Sequence, residues 1–346
     1  MDAKQIKYIV YLYTQHFYGI KIAERGILLK PEYLFIINPV AGKADRSADL
    51  AAQINAAAKK LAITPTILRT EYAGHAKEIT AQYCKKEIPV HIYACGGDGT
   101  LNEVVQAAAG HPLVAVGNVP CGSGNDYVRN FGGAEAFMDM EAQLQARPVQ
   151  FDLMDTTYGY GIDICAAGMD AQVAYGIPKF RRLPGCGGSM AYKLSMVQTF
   201  FSRFGHELRI TLDGRAQTGL YMMMAICNGG WYGGGYLAAP YARMDDGLLN
   251  IVLVKPVPRM KILDFLTKYK VGAHLNPDGT VAEWFKPYMQ VFTAKSVKVE
   301  VLDGRPLVMT VDGECAPRLA MEVAVAPLQL TALLPPQVLA RTPNVG

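Results

Sequence analysis

Along the first third of the chain, the apolar positions switch repeatedly between an unbroken run and a helical period. Tyr33-Leu34-Phe35-Ile36-Ile37 is a short apolar run halted by Asn38-Pro39, which reads as a buried strand. Residues 47–61 then place Leu50, Ile54, Ala57, Ala58 and Leu61 on one face, a helix with Ser47 as its N-cap. A strand over 63–70, a helix over 75–85, a strand over 90–95, a helix over 101–109 and a strand over 113–118 continue the pattern. Strand and helix alternating at this spacing predict a doubly wound, mostly parallel α/β sheet.

Beyond residue 150 the texture changes. Short β-like runs at 150–157, 160–166, 206–212, 219–227, 248–254, 296–302, 307–311 and 320–325 are punctuated by Gly and Pro. Helices are expected only near 189–204 and 258–273. This predicts a mostly antiparallel β domain, sandwich or barrel. The expected organisation is an α/β domain over 33–150, a β-rich domain over 151–327, and a last strand-like piece, 328–334, returning so that 328–346 completes the first domain. Residues 1–32 form a Tyr-rich extension of unclear role. No internal repeat or low-complexity tract is visible.

A chain of 346 residues suits two domains, and 51% hydrophobic against 18% charged residues excludes a disordered chain. The net charge of +4 is too small to argue for nucleic acid, and no such partner is expected. Seven scattered cysteines without a Cys-x-x-Cys pair argue against a disulfide scaffold or thiolate zinc site, and suit a reducing cytosol. A mean hydropathy of +0.11 raises the membrane question. Residues 8–20 are uncharged, yet 13 residues fall short of the ~20 that span a bilayer core. The longest uncharged run, 216–242, carries five glycines between 229 and 235 plus Pro240, and reads as a strand and a loop. The expectation is a cytoplasmic protein that touches membranes peripherally.

Candidate chemistry lies in two glycine-rich turns at the ends of consecutive strands, Gly96-Gly97-Asp98-Gly99-Thr100 and Pro120-Cys121-Gly122-Ser123-Gly124-Asn125-Asp126. Glycines let main-chain N–H groups converge without Cβ obstruction, and a following helix start adds positive potential, which suits phosphate. The familiar phosphate signatures are absent. Gly42-Lys43 is followed by Ala44 and lacks the earlier glycine of a P-loop, and Tyr127 stands where a dinucleotide fingerprint needs its third glycine.

Asn38-Pro39-x-x-Gly42-Lys43, Gly96-Gly97-Asp98-Gly99-Thr100-Leu101-Asn102-Glu103-Val104 and Pro120-x-Gly122-Ser123-Gly124-Asn125-Asp126 together resemble the catalytic domain of diacylglycerol kinases and their bacterial lipid-kinase relatives. Sphingosine kinases belong to the same superfamily. The likeness runs from about 33 to 335, with Tyr232-Gly233-Gly234-Gly235, Met244-Asp245-Asp246-Gly247 and Val311-Asp312-Gly313-Glu314 in the second domain. Ser123 stands where many relatives have Thr.

The resemblance implies an ATP- and Mg²⁺-dependent lipid kinase with its active site in a cleft between two domains. ATP would be held by Asn38, Lys43, Thr70, Gly96, Gly97, Asp98, Gly99, Thr100, Leu101, Asn102 and Ser123. Glu314 would accept the proton of the attacking hydroxyl, with Asp312 beside it. On the residues alone, Asp312-Gly313-Glu314 is simply a hairpin turn carrying acids. A structural Mg²⁺ would take Asp246 and the carbonyls of Arg243 and Leu248. Asp98 is left open between a ligand of the catalytic Mg²⁺, an assistant to the base and a helix cap. The lipid side carries no motif, so diacylglycerol and sphingoid bases both stay open, as does a homodimer. Apolar residues between Phe180 and Phe204, beside Lys179, Arg181 and Arg182, suit a membrane surface but also a core stripe. The rivals are an NAD kinase-like enzyme and a dead kinase fold; intact Asp98, Asn102, Asp126, Asp312 and Glu314 argue against decay.

Overall fold

The computed structural model describes residues 30–183, 188–201 and 205–341. Most of the expected 1–32 extension, and Phe204, lie outside them. The chain divides into two compact units, Met1–Asp152 with Pro327–Gly346, and Leu153–Ala326.

The first unit runs β1 (Glu32–Ile37), α1 (Ser47–Lys60), β2 (Pro65–Arg69), α2 (His75–Cys84), β3 (Val90–Gly96), α3 (Asp98–Ala108), β4 (Val114–Pro120), then the short α4 (Asp126–Arg129) and α5 (Met140–Leu144). The strands pair in parallel in the order β2-β1-β3-β4, and Ala332 of the returning last strand pairs with Val116. Every residue of β3 and β4 is buried, because helices cover both faces. On one face Phe35, Ile37, Tyr93, Cys95 and Val119 pack against Leu50, Ile54, Ala57 and Ala58 of α1 and Met140 and Leu144 of α5. On the other, α2 and α3 lie side by side, and α3 rests on β3 and β4. Ser47 begins α1 but does not cap it; Arg46 occupies that position, and the Asp45 carboxylate accepts the Ser47 N–H at 2.8 Å.

The second unit contains β5 (Arg147–Thr156, entering from the first), β6 (Gly159–Gly161), β7 (Ile164–Gly168), α6 (Met169–Arg181), α7 (Gly188–Phe201), β8 (His206–Leu212), β9 (Arg215–Tyr221) and β10 (Met223–Cys227). There follow β11 (Trp231–Tyr232), β12 (Tyr236–Leu237), β13 (Leu249–Val254), α8 (Arg259–Lys270), β14 (Met289–Ala294), β15 (Ser296–Val301), β16 (Leu307–Val311), β17 (Glu314–Arg318) and β18 (Ala320–Leu334); α9 (Pro336–Arg341) closes the described chain in the first unit. An antiparallel sheet takes the order β14-β13-β10-β7-β16-β17. A second antiparallel set joins the first half of β18 to β15, β8 and β9. Alternation decides which side chain goes where. Met224 and Ile226 of β10 enter the core shared with Leu208, Ile210, Val297 and Val299 of the second set. Met223, Ala225 and Cys227 point the other way, against Met169, Ile262, Phe265 and Tyr269 of the helices. The unit is a sandwich with one sheet covered twice.

Candidate active site

Because β2, β1, β3 and β4 run parallel, the loops after them line one edge of the sheet, the edge at which such sheets bind ligands. The register Gly96↔Pro120 sets the two glycine turns level, and the Cys121 N–H donates to Gly96 O at 2.7 Å. Their backbones touch. A Cβ on Gly122 would lie 2.4 Å from Gly97 Cα, and one on Gly42 would lie 2.5 Å from Cys121 O. Three loops are thus fitted together at distances only glycine permits.

Asp98 locks this arrangement from a position the sequence does not reveal. Helix α3 begins at Asp98 itself with Gly97 as N-cap, so Asp98 does not cap its own helix. Its Oδ1 instead accepts the Asp126 N–H at 2.8 Å, at the head of α4. Asn125, the N-cap of α4, turns its side chain back onto Gly122 and leaves that acceptor role to Asp98. Burial raises the Asp98 carboxyl above its ordinary range, while the N–H groups of Asp126, Asn125 and Tyr127 pull it back. A Cβ on Gly124 would come within 2.5 Å of Asp98 Oδ2.

The remaining candidates fall into place around this lock. Asn38 Nδ2 donates to Thr100 Oγ1 at 3.0 Å, and a Cβ on Gly96 would strike the same oxygen at 2.2 Å. Thr70 is buried beside β1, its N–H on Ile37 O at 2.9 Å. Lys43 and Ser123 are exposed on their loops. Leu101 is 2% exposed and belongs to the core, so its side chain is remote from any ligand. The N–H groups of Thr100 and Leu101 are already given to Gly97 O, which leaves the main chain at Gly97 and Gly99 to act outward. Gly99 differs from Gly96, Gly97, Gly122 and Gly124 of the two turns in having no neighbour within 4 Å of a built Cβ, and its φ is not in the left-handed region. The fold itself does not require glycine there; an approaching ligand would. Asn102, one turn into α3, accepts from Gln106 Nε2 at 3.4 Å.

Glu103, inside the same motif, has a holding role that the motif alone does not reveal. Its carboxylate accepts Gly74 N–H at 2.8 Å and Ala76 N–H at 3.1 Å, tying the Thr70–Gly74 loop to α3. The signal available was its place one turn after the glycine run.

In the second unit, Asp312 and Gly313 form a two-residue hairpin turn with φ of +45° and +94°. The Asp312 carboxylate accepts three main-chain N–H groups, from Ile162 at 2.6 Å, Asp163 at 3.0 Å and Ile164 at 3.0 Å. Both oxygens of this carboxylate are thus engaged by main-chain donors. Its work is to fix the hairpin against the 161–164 segment. Glu314 opens β17 with its side chain exposed. The two acids expected to act together therefore divide into a carboxylate held by the main chain and an exposed one.

Arg243, Asp246 and Leu248 come together on one loop, where Asp246 Oδ1 accepts the Leu248 N–H at 3.0 Å and Gly247 turns at φ +69°. Arg243 pairs with Asp245, Nε to Oδ1 at 3.0 Å, and this pairing raises its pKa. One carboxylate beside main-chain carbonyls is an oxygen donor set that fits a hard cation. No group of three or more His, Cys, Asp or Glu side chains suited to a metal occurs among the described residues.

The apolar residues near α6 and α7 are sorted in an unexpected way. Ala191, Ser195 and Thr199 of α7 face inward, with Ser195 Oγ on Val173 O at 2.6 Å and a built Cβ on Gly176 only 2.2 Å from that hydroxyl oxygen. Small residues make the helix contact, and Met190, Val197 and Phe201 stand exposed, as does Leu183 after α6. Sequence reasoning also missed Asp170, at the head of a helix it did not foresee. Asp170 Oδ2 accepts the Tyr232 hydroxyl at 2.7 Å, and burial raises the carboxyl to about 6.

Comparison with known proteins agrees with these motifs. The diacylglycerol kinase catalytic domain matches residues 32–156, and the YegS C-terminal NAD kinase beta sandwich-like domain matches residues 163–334. The chain is 25% identical over 281 residues to a diacylglycerol kinase of Staphylococcus carnosus, covering 81% of this chain and 87% of that one. It is 26% identical over 252 residues to a diacylglycerol kinase of Bacillus subtilis, covering 71% and 77%. A crystal structure of a diacylglycerol kinase from Bacillus anthracis superposes with a TM-score of 0.63 at 18% identity over 89% of this chain and 98% of that one, which is a likeness of fold. No described helix is long and apolar enough to cross a membrane. The chain belongs to the diacylglycerol kinase catalytic-domain family, a family of lipid kinases.

Proposed function

We propose that the protein transfers the γ-phosphate of ATP to the hydroxyl of diacylglycerol, giving phosphatidic acid. The observation that carries this reading is the interlocked pair of glycine turns, with Gly97 against Gly122, Asp98 bonded across to Asp126, and Gly99 open to an approaching group. A main chain stripped of side chains at a helix start suits a polyphosphate.

The main chain at Gly96, Gly97 and Gly99 forms the phosphate cradle, and the Thr100 and Leu101 N–H groups close the turn on Gly97 O, with Asn38 fixing the Thr100 hydroxyl. Lys43 brings a mobile point charge to phosphate oxygens. Thr70, Asn102 and Ser123 add polar contacts to the nucleotide. Asp98 positions the two turns. Glu314 takes the proton as the lipid oxygen bonds to the γ-phosphorus and the bond to ADP breaks, and Asp312 holds the hairpin that carries Glu314. Mg²⁺, when bound, neutralises charge on the phosphate oxygens. Asp246 with the Arg243 and Leu248 carbonyls is assigned to a second, structural cation. The exposed apolar residues of α6 and α7 fit a lipid substrate met at a membrane.

The test is a parallel assay with γ-labelled ATP and diacylglycerol, sphingosine or NAD. Label is expected in phosphatidic acid. Label in the sphingoid base or in NAD instead would replace this acceptor.

A further inference from the structure

Helix α8 is apolar on two opposite sides, and the fold uses one of them. Ile262, Phe265 and Tyr269 are at most 1% exposed in the helix-side core. On the outer side Met260, Leu263 and Val271 are 98%, 64% and 69% exposed, in line along the helix with Thr267. The Thr267 hydroxyl is turned back onto Leu263 O at 2.7 Å, so its methyl joins the stripe. Single exposed apolar residues are ordinary; an aligned stripe including an almost wholly exposed methionine marks a contact surface.

What surrounds the stripe identifies the contact. Residues 255–271 and 283–288 carry six Lys or Arg against two acids, Asp264 and Glu283. Lys261, Lys268 and Lys270 lie 5.7, 4.3 and 5.4 Å from the ring centroids of Tyr288, Trp284 and Tyr236. Apolar groups outermost, rimmed by cations resting on Trp and Tyr, is the layering that an interface between lipid headgroups and acyl chains accepts. A second protein would be expected to bring carboxylates for the cations, whereas an anionic bilayer answers both layers at once.

We propose that the outer face of α8 docks the protein on an anionic lipid bilayer. This rests on the lipid-kinase reading for its purpose, since the acceptor resides in a membrane, but it is testable without catalysis. Each cation near an anionic surface is worth roughly a fivefold factor in partition.

The experiment sediments the full chain with phosphatidylcholine vesicles, with and without phosphatidylglycerol, in the absence of ATP and diacylglycerol. Binding is expected only to the anionic vesicles and should weaken with salt. A doubled change, Met260→Ser with Leu263→Ser, is expected to lower binding about tenfold or more, and Lys261→Gln with Lys270→Gln about 25-fold. These side chains are exposed, so circular dichroism and melting should be unchanged. Both variants should keep wild-type turnover on a short-chain diacylglycerol dispersed in solution. Equal vesicle binding by variants and wild type overturns the proposal. So does concentration-dependent dimerisation of wild type that the Met260/Leu263 change abolishes, because the occupant would then be a second copy. Absent turnover on every lipid with intact vesicle binding sinks the kinase reading instead.

Discussion

Gly99→Ala separates a glycine kept for a ligand from one kept for the fold. Position 99 lies in the first turn of α3 with helical backbone, and a methyl there meets nothing within 4 Å. Alanine is better than glycine in a helix by at most about 1 kcal/mol, so the change should leave stability equal or higher. At about 2–4 °C per kcal/mol for a unit of this size, Tm should rise by up to that amount. ATP should suffer the reverse, because the methyl stands where the phosphate cradle is open. Overpacking by one methyl costs about 1–3 kcal/mol, or roughly fivefold to 150-fold in Kd. Gly122→Ala is the contrast, since its Cβ would lie 2.4 Å from Gly97 Cα and should cost stability and ATP binding together. Thermal melting and calorimetric titration with a non-hydrolysable ATP analogue read both quantities. If Gly99→Ala binds the analogue as wild type does, the turn is not the phosphate site.

Asp98→Asn keeps an oxygen for the Asp126 N–H, so it should raise KM for ATP several-fold while leaving the Mg²⁺ dependence of kcat in place; a shifted Mg²⁺ titration would make Asp98 a metal ligand instead. Asp312→Asn turns an amide toward three N–H donors and should lower stability by about 1–3 kcal/mol in denaturant unfolding; an unchanged midpoint would contradict its holding role. Asp170 has its pKa raised from 3.8 to about 6, so the folded protein favours the protonated carboxyl and loses stability as pH rises between those values. Asp170→Asn should flatten that part of the pH–stability curve and be the more stable protein at pH 7 by at most about 3 kcal/mol, and parallel curves would refute it. Asp246→Ala should erase any rise in Tm on adding Mg²⁺, and a wild-type Tm indifferent to Mg²⁺ would remove the structural cation.

Much of the first unit was legible because its signals are local. Leu34 to Ile37 form an apolar run that only a covered strand explains, and Leu50, Ile54, Ala57 and Ala58 keep helical spacing. The glycine turns announced their position at strand ends. What they do to each other was not legible, because Asp98 and Asp126, 28 residues apart, meet only through the β3–β4 register. In the second unit the run 219–227 read as one strand, yet Tyr221 ends β9 in one sheet and Met223 begins β10 in the other. Leu220 to Ile226 is apolar throughout although Leu220 is exposed and β10 is buried, so hydropathy cannot mark the change of sheet. Helix α6 is not legible in the sequence because Gly176 and Pro178 lie inside it, and Gly176 is there to admit Ser195. The same small-residue contact explains why Met190, Val197 and Phe201 of α7 face outward. The split between Asp312 and Glu314 likewise depends on the distant N–H groups of Ile162, Asp163 and Ile164.

The central claim is phosphoryl transfer to a lipid hydroxyl with Glu314 as proton acceptor. It is tested most directly by incubating γ-labelled ATP and diacylglycerol with wild type and with Glu314→Gln, after showing equal melting and equal ATP-analogue binding. Glu314 is exposed, so the change should not disturb folding. The expected result is labelled phosphatidic acid from wild type and a rate lower by about 10²–10⁴-fold from the variant. A variant within a few-fold of wild type, or no labelled lipid from wild type, would contradict it.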